Sequence, residues 1–417
     1  MKTSLTDHFR NSEEGSEAEA ILRSCVHCGF CLATCPTYEL LGDERDSPRG
    51  RIYLIKEMLE GQTPSQRTQL HLDRCLTCRA CETTCPSGVR YGRLVDIGRR
   101  FVDERVERTW MNALKRWGLR MVFPYPTRLT RLLGLAGWVR PIMAAKFKSR
   151  IPLARKADNW PVERHARKML VLDGCVQASV APNINAAAAR VLDRSGISLV
   201  SVKESGCCGA VSYHLSARDE GLAFMRRNID AWWPHIEQGA EAIIITASGC
   251  GVMIKEYGEL LEHDREYAEK AARISELTVD IAEVFADETL VNQLPKINKT
   301  IAFHSPCTLQ HGQQLNGRVE SILNQCGISL TPVQDAHLCC GSAGTYSILQ
   351  ADISKQLLKN KISALELGDP ELIATANIGC MLQLQRATQL PVKHWIEVFD
   401  ANLGCQRSSD EIASGVF

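Results

Sequence analysis

The sequence predicts an α+β multidomain chain: a mainly helical N-terminal module followed by two α/β repeats, each carrying a parallel sheet. Three observations predict it. Two cysteine runs of identical spacing lie within residues 1–105, joined by a stretch of helical periodicity. From about residue 167, short β-branched runs alternate with helical stretches, the pattern of α/β units. The later cysteines also recur. Cys175 precedes Cys207-Cys208 by 31 intervening residues, and Cys307 precedes Cys339-Cys340 by the same 31. Self-similarity of this kind marks two repeats of about 130 residues. The expected divisions are 1–105, a connector at 106–166, and repeats at 167–298 and 299–417.

Composition narrows the chemistry. With 49 basic against 48 acidic residues the net charge is +1, which gives no global attraction to nucleic acid. Eighteen cysteines require either a disulfide framework or a metal role. The polar, acidic start "MKTSLTDHFRNSEEGSEAEAILRS" has no apolar run of a secretory signal, so a reducing cytoplasm and metal thiolates are expected. The longest apolar stretch, "LLGLAGWVRPIMAA" at 132–145, is interrupted by Arg140 and Pro141 and falls short of the roughly 20 residues of a membrane span.

In the first module, Ser47-Pro48 reads as a helix start, and Ile52, Leu54, Ile55, Met58 and Leu59 follow near helical spacing. On either side lie Cys25, Cys28, Cys31 and Cys35-Pro36, then Cys75, Cys78, Cys81 and Cys85-Pro86, both C-x2-C-x2-C-x3-C-P. Three thiolates at two-residue gaps can wrap one iron–sulfur cube, and in bacterial ferredoxins the fourth cysteine of such a run serves the other cluster. By that rule Cys25, Cys28, Cys31 and Cys85 hold one [4Fe-4S] cluster, and Cys75, Cys78, Cys81 and Cys35 hold a second. The module is therefore ferredoxin-like. Structural zinc would need two ligand pairs, a layout neither run has. His27 is expected to orient the loop or face solvent, and Arg79 to be solvated.

The connector interleaves Arg116, Arg120, Arg128, Arg131, Arg140, Lys146, Lys148 and Arg150 with Trp110, Trp117, Phe123 and Trp138. It reads as a helical segment whose cationic face is solvated, or as a docking surface for a partner subunit or membrane headgroups.

In the repeats, strands are expected at "MLVLD", "SLVSV", "AEAIIITAS", "KTIAFH", "SLTPV" and "ELIATAN". Cysteines follow these strand ends: Cys175, Cys207, Cys208 and Cys250, then Cys307, Cys339, Cys340 and Cys380. Loops at the carboxyl ends of parallel strands converge on one crevice, so four thiols should meet in each repeat. Gly206, Gly209 and Gly341 beside the double cysteines suit a sharp turn. His304 and His337 are placed to hydrogen-bond to sulfur, and Cys326 and Cys405 fall outside the pattern as ordinary thiols.

Cys, about 31 residues, Cys-Cys-Gly, about 40 residues, Cys, twice in one chain, resembles the cysteine-rich CCG domain of heterodisulfide reductase and related dehydrogenase subunits. Joined to the two-cluster module, and with "SCVHCGFCLATCPTYELLGDERDSPRGRIYLIKEMLEG" and "HSPCTLQHGQQL", the chain is similar to the iron–sulfur subunits of bacterial glycolate oxidase. The resemblance covers essentially the whole chain. It implies an oxidoreductase complex in which flavin-containing partner subunits oxidise glycolate to glyoxylate. This chain would pass the electrons toward a quinone or another acceptor, peripherally on the inner membrane. No G-x-G-x-x-G opens a helix after a strand, so no flavin is expected here. The alternatives are the iron–sulfur subunit of a lactate or anaerobic glycerol-3-phosphate dehydrogenase, or a disulfide-reducing subunit like heterodisulfide reductase. One departure stands out: Met253 and Gln383 occupy the positions where that reductase ends each repeat in C-x-x-C. Further clusters in the repeats are thus candidates on four cysteines each.

Overall fold

Ser12, Ser47 and Ser65 each start a helix by accepting a backbone N–H from three residues on: Gly15, Gly50 and Thr68. Each such cap contributes about 1 kcal/mol. In the computed structural model, which describes residues 1–140 and 157–402, these helices are Glu13–Ser24, Pro48–Leu59 and Gln66–Asp73. With Tyr91–Asp103 they pack Leu22, Ile55, Leu59, Leu72, Leu94 and Val102 into one core. Each fully buried aliphatic side chain contributes about 1.5–3 kcal/mol. Both cysteine runs leave from a helix end in the same way. Cys25 N–H donates to Leu22 O and Cys75 N–H to Leu72 O, each at 3.2 Å.

Between the runs sits a buried charge cluster. Asp46 is wholly buried and receives Arg74 Nη1 at 2.8 Å, His71 Nδ1 at 2.9 Å and Arg51 Nη2 at 3.4 Å. Arg51, only 1% exposed, also donates to His71 O at 2.7 Å and Thr37 Oγ1 at 3.1 Å. Thr37 in turn donates to Asp46 O at 2.8 Å and lies 3.3 Å from Cys35 Sγ. The chain just after the first run is thereby fixed to the chain just before the second.

Each repeat is a four-stranded, wholly parallel sheet. In the first, β1 (Arg167–Val171), β2 (Ile197–Ser201), β3 (Ile243–Ile245) and β4 (Thr278–Asp280) run in the order β2-β1-β3-β4. In the second, β5 (Thr300–His304), β6 (Ser329–Leu330), β7 (Leu372–Thr375) and β8 (Val392–His394) run β6-β5-β7-β8. Register pairs Leu170 with Ile243 and Ile301 with Leu372. The central strands are apolar on both faces because helices such as Asn183–Arg194 and Ala351–Glu366 cover the sheets. All six expected strands are present. The fourth strand of each sheet was not foreseen: β4 and β8 are three residues long, too short to register an alternating pattern.

The two sheets share one core, with Ile244 and Phe285 from the first repeat and Ala302 and Trp395 from the second. Hydrogen bonds cross the same junction, from Ser248 N to Ala376 O at 3.2 Å and from Gln313 Nε2 to Asp280 Oδ2 at 2.9 Å. The N-terminal module docks against both repeats. Arg93 reaches Tyr213 Oη at 2.8 Å, Asp96 meets His214 Nδ1 at 3.1 Å, and Tyr346 Oη donates to Arg74 O at 2.9 Å. Arg79 corrects the expectation of a solvated side chain: it is largely buried and paired with Glu256 of the first repeat.

The connector forms helices Trp110–Val122 and Pro126–Val139. Its cationic face is only partly solvated, since Arg116 bonds Asp73 at 2.9 Å and Arg120 lies 3.5 Å from Glu220. Lys146, Lys148, Arg150 and Cys405 lie outside the described residues, while Cys326 is buried in the shared core.

Removing one partner of a buried ion pair leaves the other charge uncompensated, at a cost of about 3–5 kcal/mol. Arg51→Met is expected to lose stability on that scale, read as a lower thermal midpoint of the anaerobic holoprotein. An unchanged midpoint would mean that Arg74 and His71 alone suffice for Asp46.

Candidate metal centres

The two N-terminal runs adopt the same backbone. The second residue after the first cysteine and the residue after the second cysteine are left-handed in both: His27 (φ 57°) and Gly29 (φ 86°), then Thr77 (φ 52°) and Arg79 (φ 61°). Left-handed backbone at a non-glycine residue is strained, and such strain persists where a site demands it. Alternating handedness turns successive N–H groups to one side, a concavity suited to an anion. Thr77 N–H already points at Cys75 Sγ, at 3.3 Å.

Two small hollows result. Cys25, Cys28, Cys31 and Cys85 line one, and Cys35, Cys75 and Cys78 line the other. Cys81, Pro48 and Tyr91 face both, so the hollows share a wall. The fourth cysteine of each run thus lies with the first three of the other, the exchange expected from the spacing. Tyr91 Oη is buried beside Cys75, whose sulfur is the group it faces, and it has no oxygen or nitrogen partner. Burial, then the nearby Cys307 thiol, pushes Cys78 well above the ordinary thiol range. Burial alone leads in raising Cys81, and in pushing Cys31 up to about 11. Thiols so placed ionise when a cation compensates them. The donor set, the turned N–H groups and the buried hydroxyl beside Cys75 fit two four-cysteine clusters.

The surroundings of the hollows differ. Around the first, Cys28 is exposed, and Val26 and Phe30 are 66% and 61% exposed. At the second, Cys35, Cys75 and Cys81 are buried, Arg51 stands in the wall, and Arg99 Nη2 donates to Cys75 O at 2.6 Å. Neither arginine carried a sequence signal, because nothing local distinguishes a buried guanidinium from a solvated one.

In the repeats the cysteines meet as the topology requires. The strand order reverses between β1 and β3, and again between β5 and β7, and ligands bind outside the carboxyl ends at such switch points. Cys175, Cys207, Cys208 and Cys250 form one chain of sulfur–sulfur contacts, and Cys307, Cys339, Cys340 and Cys380 form the other. Cys307 Sγ lies 3.9 Å from Cys339 Sγ. Contact with Cys207 and then burial push Cys175 well above its usual range, and contact with Cys339 and then burial do the same to Cys307. Gly209 (φ 91°) and Gly341 (φ 80°) follow the double cysteines, and a Cβ at either would meet a helix carbonyl, of Gly221 or Ser354, at 2.7 Å. That close approach is what lets two adjacent cysteines face one point.

Both four-thiol sites open onto one interior cavity of about 350 Å³, which Cys75 and Cys78 of the second run also line. Leu76, Cys307, Cys339 and Tyr346 pack together there, with Cys78 against them. Met253 and Gln383 line the same cavity. His304 ends β5 rather than lying in a loop. It is 2% exposed, its Nε2 has no hydrogen bond, and burial lowers its pKa to about 3. No hydrogen bond from either histidine to sulfur is present among the described residues. The backbone carbonyl of His337 instead meets His311 Nε2 at 3.2 Å.

Residues 21–89 match the 4Fe-4S dicluster domain, and residues 169–255 and 301–385 each match the cysteine-rich domain. The glycolate oxidase iron-sulfur subunit of Escherichia coli (strain K12) is 54% identical over 97% of this chain and 99% of its own length. The probable glycolate oxidase iron-sulfur subunit of Bacillus subtilis (strain 168) is 28% identical over 88% of this chain and 89% of its own. Lactate utilization protein A of Bacillus pumilus is 25% identical over 50% of this chain and 87% of its own. With every cysteine module accounted for and the first relative matched end to end, the chain belongs to the family of glycolate oxidase iron–sulfur subunits.

Proposed function

We propose that this chain is the electron-transfer subunit of a glycolate dehydrogenase complex, moving electrons from flavin-containing partner subunits to a quinone or another acceptor. One observation carries the reading: sixteen cysteines fall into four sets, and the hollows they border share walls in sequence, from the exposed first run through the second to the cavity between the repeats. Bound iron–sulfur clusters accept and release single electrons. The chain's own residues do the rest. Cys25, Cys28, Cys31 and Cys85 hold the outer cluster, and Cys75, Cys78, Cys81 and Cys35 the inner one. The eight cysteines of the repeats hold further iron. Val26 and Phe30 offer the flavin partner an apolar edge beside the outer site. Arg51 and Arg99 place positive charge beside the inner site, which favours the reduced state there and draws electrons inward. Leu76 and Tyr346 close the interior between the second run and the second repeat against water.

The membrane face is proposed on the two connector helices. Trp110, Trp117, Leu135 and Trp138 are 73%, 54%, 68% and 89% exposed, with Lys115, Arg128 and Arg131 exposed among them. Tryptophan at headgroup depth flanked by basic residues is the chemistry of a helix lying on an anionic bilayer. No described helix is long and apolar enough to cross one.

Four results test these readings. Anaerobic protein is expected to carry at least about eight iron and eight labile sulfide; tightly bound zinc without labile sulfide would refute it. Cys28→Ser is expected to abolish electron transfer from flavin to quinone while glycolate still reduces the flavin, and simultaneous loss of both would indicate failed assembly. Reduction of the clusters by lactate or glycerol 3-phosphate but not glycolate, in the assembled complex, would overturn the substrate. Trp117→Ser with Trp138→Ser is expected to lose co-sedimentation with vesicles containing phosphatidylglycerol, and full retention would remove the membrane face.

A further inference from the structure

The two repeats match in their cysteines but differ in two buried side chains beside them. His304 stands three residues before Cys307, and the same place before Cys175 is Leu172, 3% exposed. A ring nitrogen of His304 and the sulfurs of Cys340 and Cys380 all lie within 4.8 Å of one another. Its Nε2 is buried with no hydrogen-bond partner. A buried polar atom left unpaired pays its full desolvation cost, so a native structure that keeps one usually supplies a partner of another kind.

The second difference concerns charge. Lys361 lies ten residues into the helix Ala351–Glu366, and Asn228 lies ten residues into the matching helix Arg218–Glu237. Lys361 is 3% exposed and donates to Asp335 O at 2.8 Å and Ala336 O at 3.5 Å. Among the described residues it has no carboxylate at ion-pair distance. Burial works against its charge, and the anionic groups that oppose this are, in order, Cys340, Cys339, the more distant carboxylate of Asp335, and Cys307. The uncharged Asn228 is instead bound to Cys207 O at 2.9 Å and to Tyr257 Oη at 3.1 Å. Gln383 does not compete for the place His304 faces, because its amide nitrogen is committed to Ser354 Oγ at 2.9 Å.

We propose that His304 is a nitrogen ligand of the iron centre in the second repeat, so that the two repeats hold centres of different chemistry. Cys175, Cys207, Cys208 and Cys250 form a thiolate-only site. The second site adds one neutral imidazole to its four cysteines. The inference rests on the reading that the repeats bind iron. A neutral nitrogen donor leaves a centre less negative than another thiolate would and raises its potential, as nitrogen ligation does in other iron–sulfur proteins. Lys361 acts in the same direction. The second-repeat centre is then the stronger electron acceptor of the two, and its Cys307 and Cys339 pack directly against Leu76 and Cys78 of the second N-terminal run.

The test uses the full chain, purified anaerobically with and without 15N-histidine. Pulsed electron paramagnetic resonance is expected to show hyperfine coupling to a directly bound nitrogen that changes on labelling. That coupling should vanish in His304→Leu, which installs the residue the first repeat already buries. In His304→Cys the iron content should persist while one midpoint potential, followed by absorbance, moves negative. Absence of histidine coupling in wild type, its persistence in His304→Leu, or unchanged potentials in His304→Cys would each overturn the inference. Cys339→Ser combined with Cys340→Ser, which leaves too few donors for a cluster, separates the two levels. Iron content equal to wild type would mean that the second repeat holds no iron, and the underlying reading fails. Less iron, with no histidine coupling in wild type, overturns the histidine ligand alone.

Discussion

Two cysteine runs fifty residues apart are held facing each other by Asp46, wholly buried and shared among Arg51, Arg74 and His71. The cluster ties the chain leaving the first run to the chain approaching the second. Helix packing alone would leave the two loops free to shift against each other, since a hydrophobic core is indifferent to small displacements of the segments at its edge. Directional, charge-assisted bonds to a buried carboxylate are not indifferent. The arrangement of Cys35 with the second run and Cys85 with the first depends on that register. The second repeat docks on the same register, because Arg74, which pairs with Asp46, also receives Tyr346 through its carbonyl.

Much of this was legible in the sequence. Identical cysteine spacing gave both the duplicated module and the exchange of fourth cysteines, since side-chain reach in a tight turn is set by residue count. The 31-residue gap gave the repeats, and strand-end cysteines gave the convergence at the switch points. What stayed hidden depends on tertiary context. Arg79 read as a solvated charge and is buried against Glu256, 177 residues away. β4 and β8 were missed because three residues in an edge position show no periodicity. His304 was noticed for its nearness to Cys307 in sequence, yet the sulfurs it approaches belong to Cys340 and Cys380. Only the fold of β5 against β7 brings them together.

The asymmetry of the molecule follows from where charge is buried. The first hollow lies open to solvent and bordered by apolar side chains. The second has Arg51 in its wall and Arg99 on the carbonyl of Cys75, and behind the double cysteines of the repeats lie the buried Lys361 in one and the uncharged Asn228 in the other. Duplicated modules that kept their cysteines have diverged in the residues around them. That is how one ligand pattern can be set to different potentials along a single route.

The interlocking of the two N-terminal sites is the central claim, and magnetic interaction between the bound clusters tests it most directly. The anaerobic chain is reduced fully, and its continuous-wave electron paramagnetic resonance spectrum is compared with that at half reduction. Clusters in hollows that share a wall are expected to broaden and split each other's signals once both are reduced. Two narrow, additive signals at full reduction would place the clusters apart and contradict the shared wall.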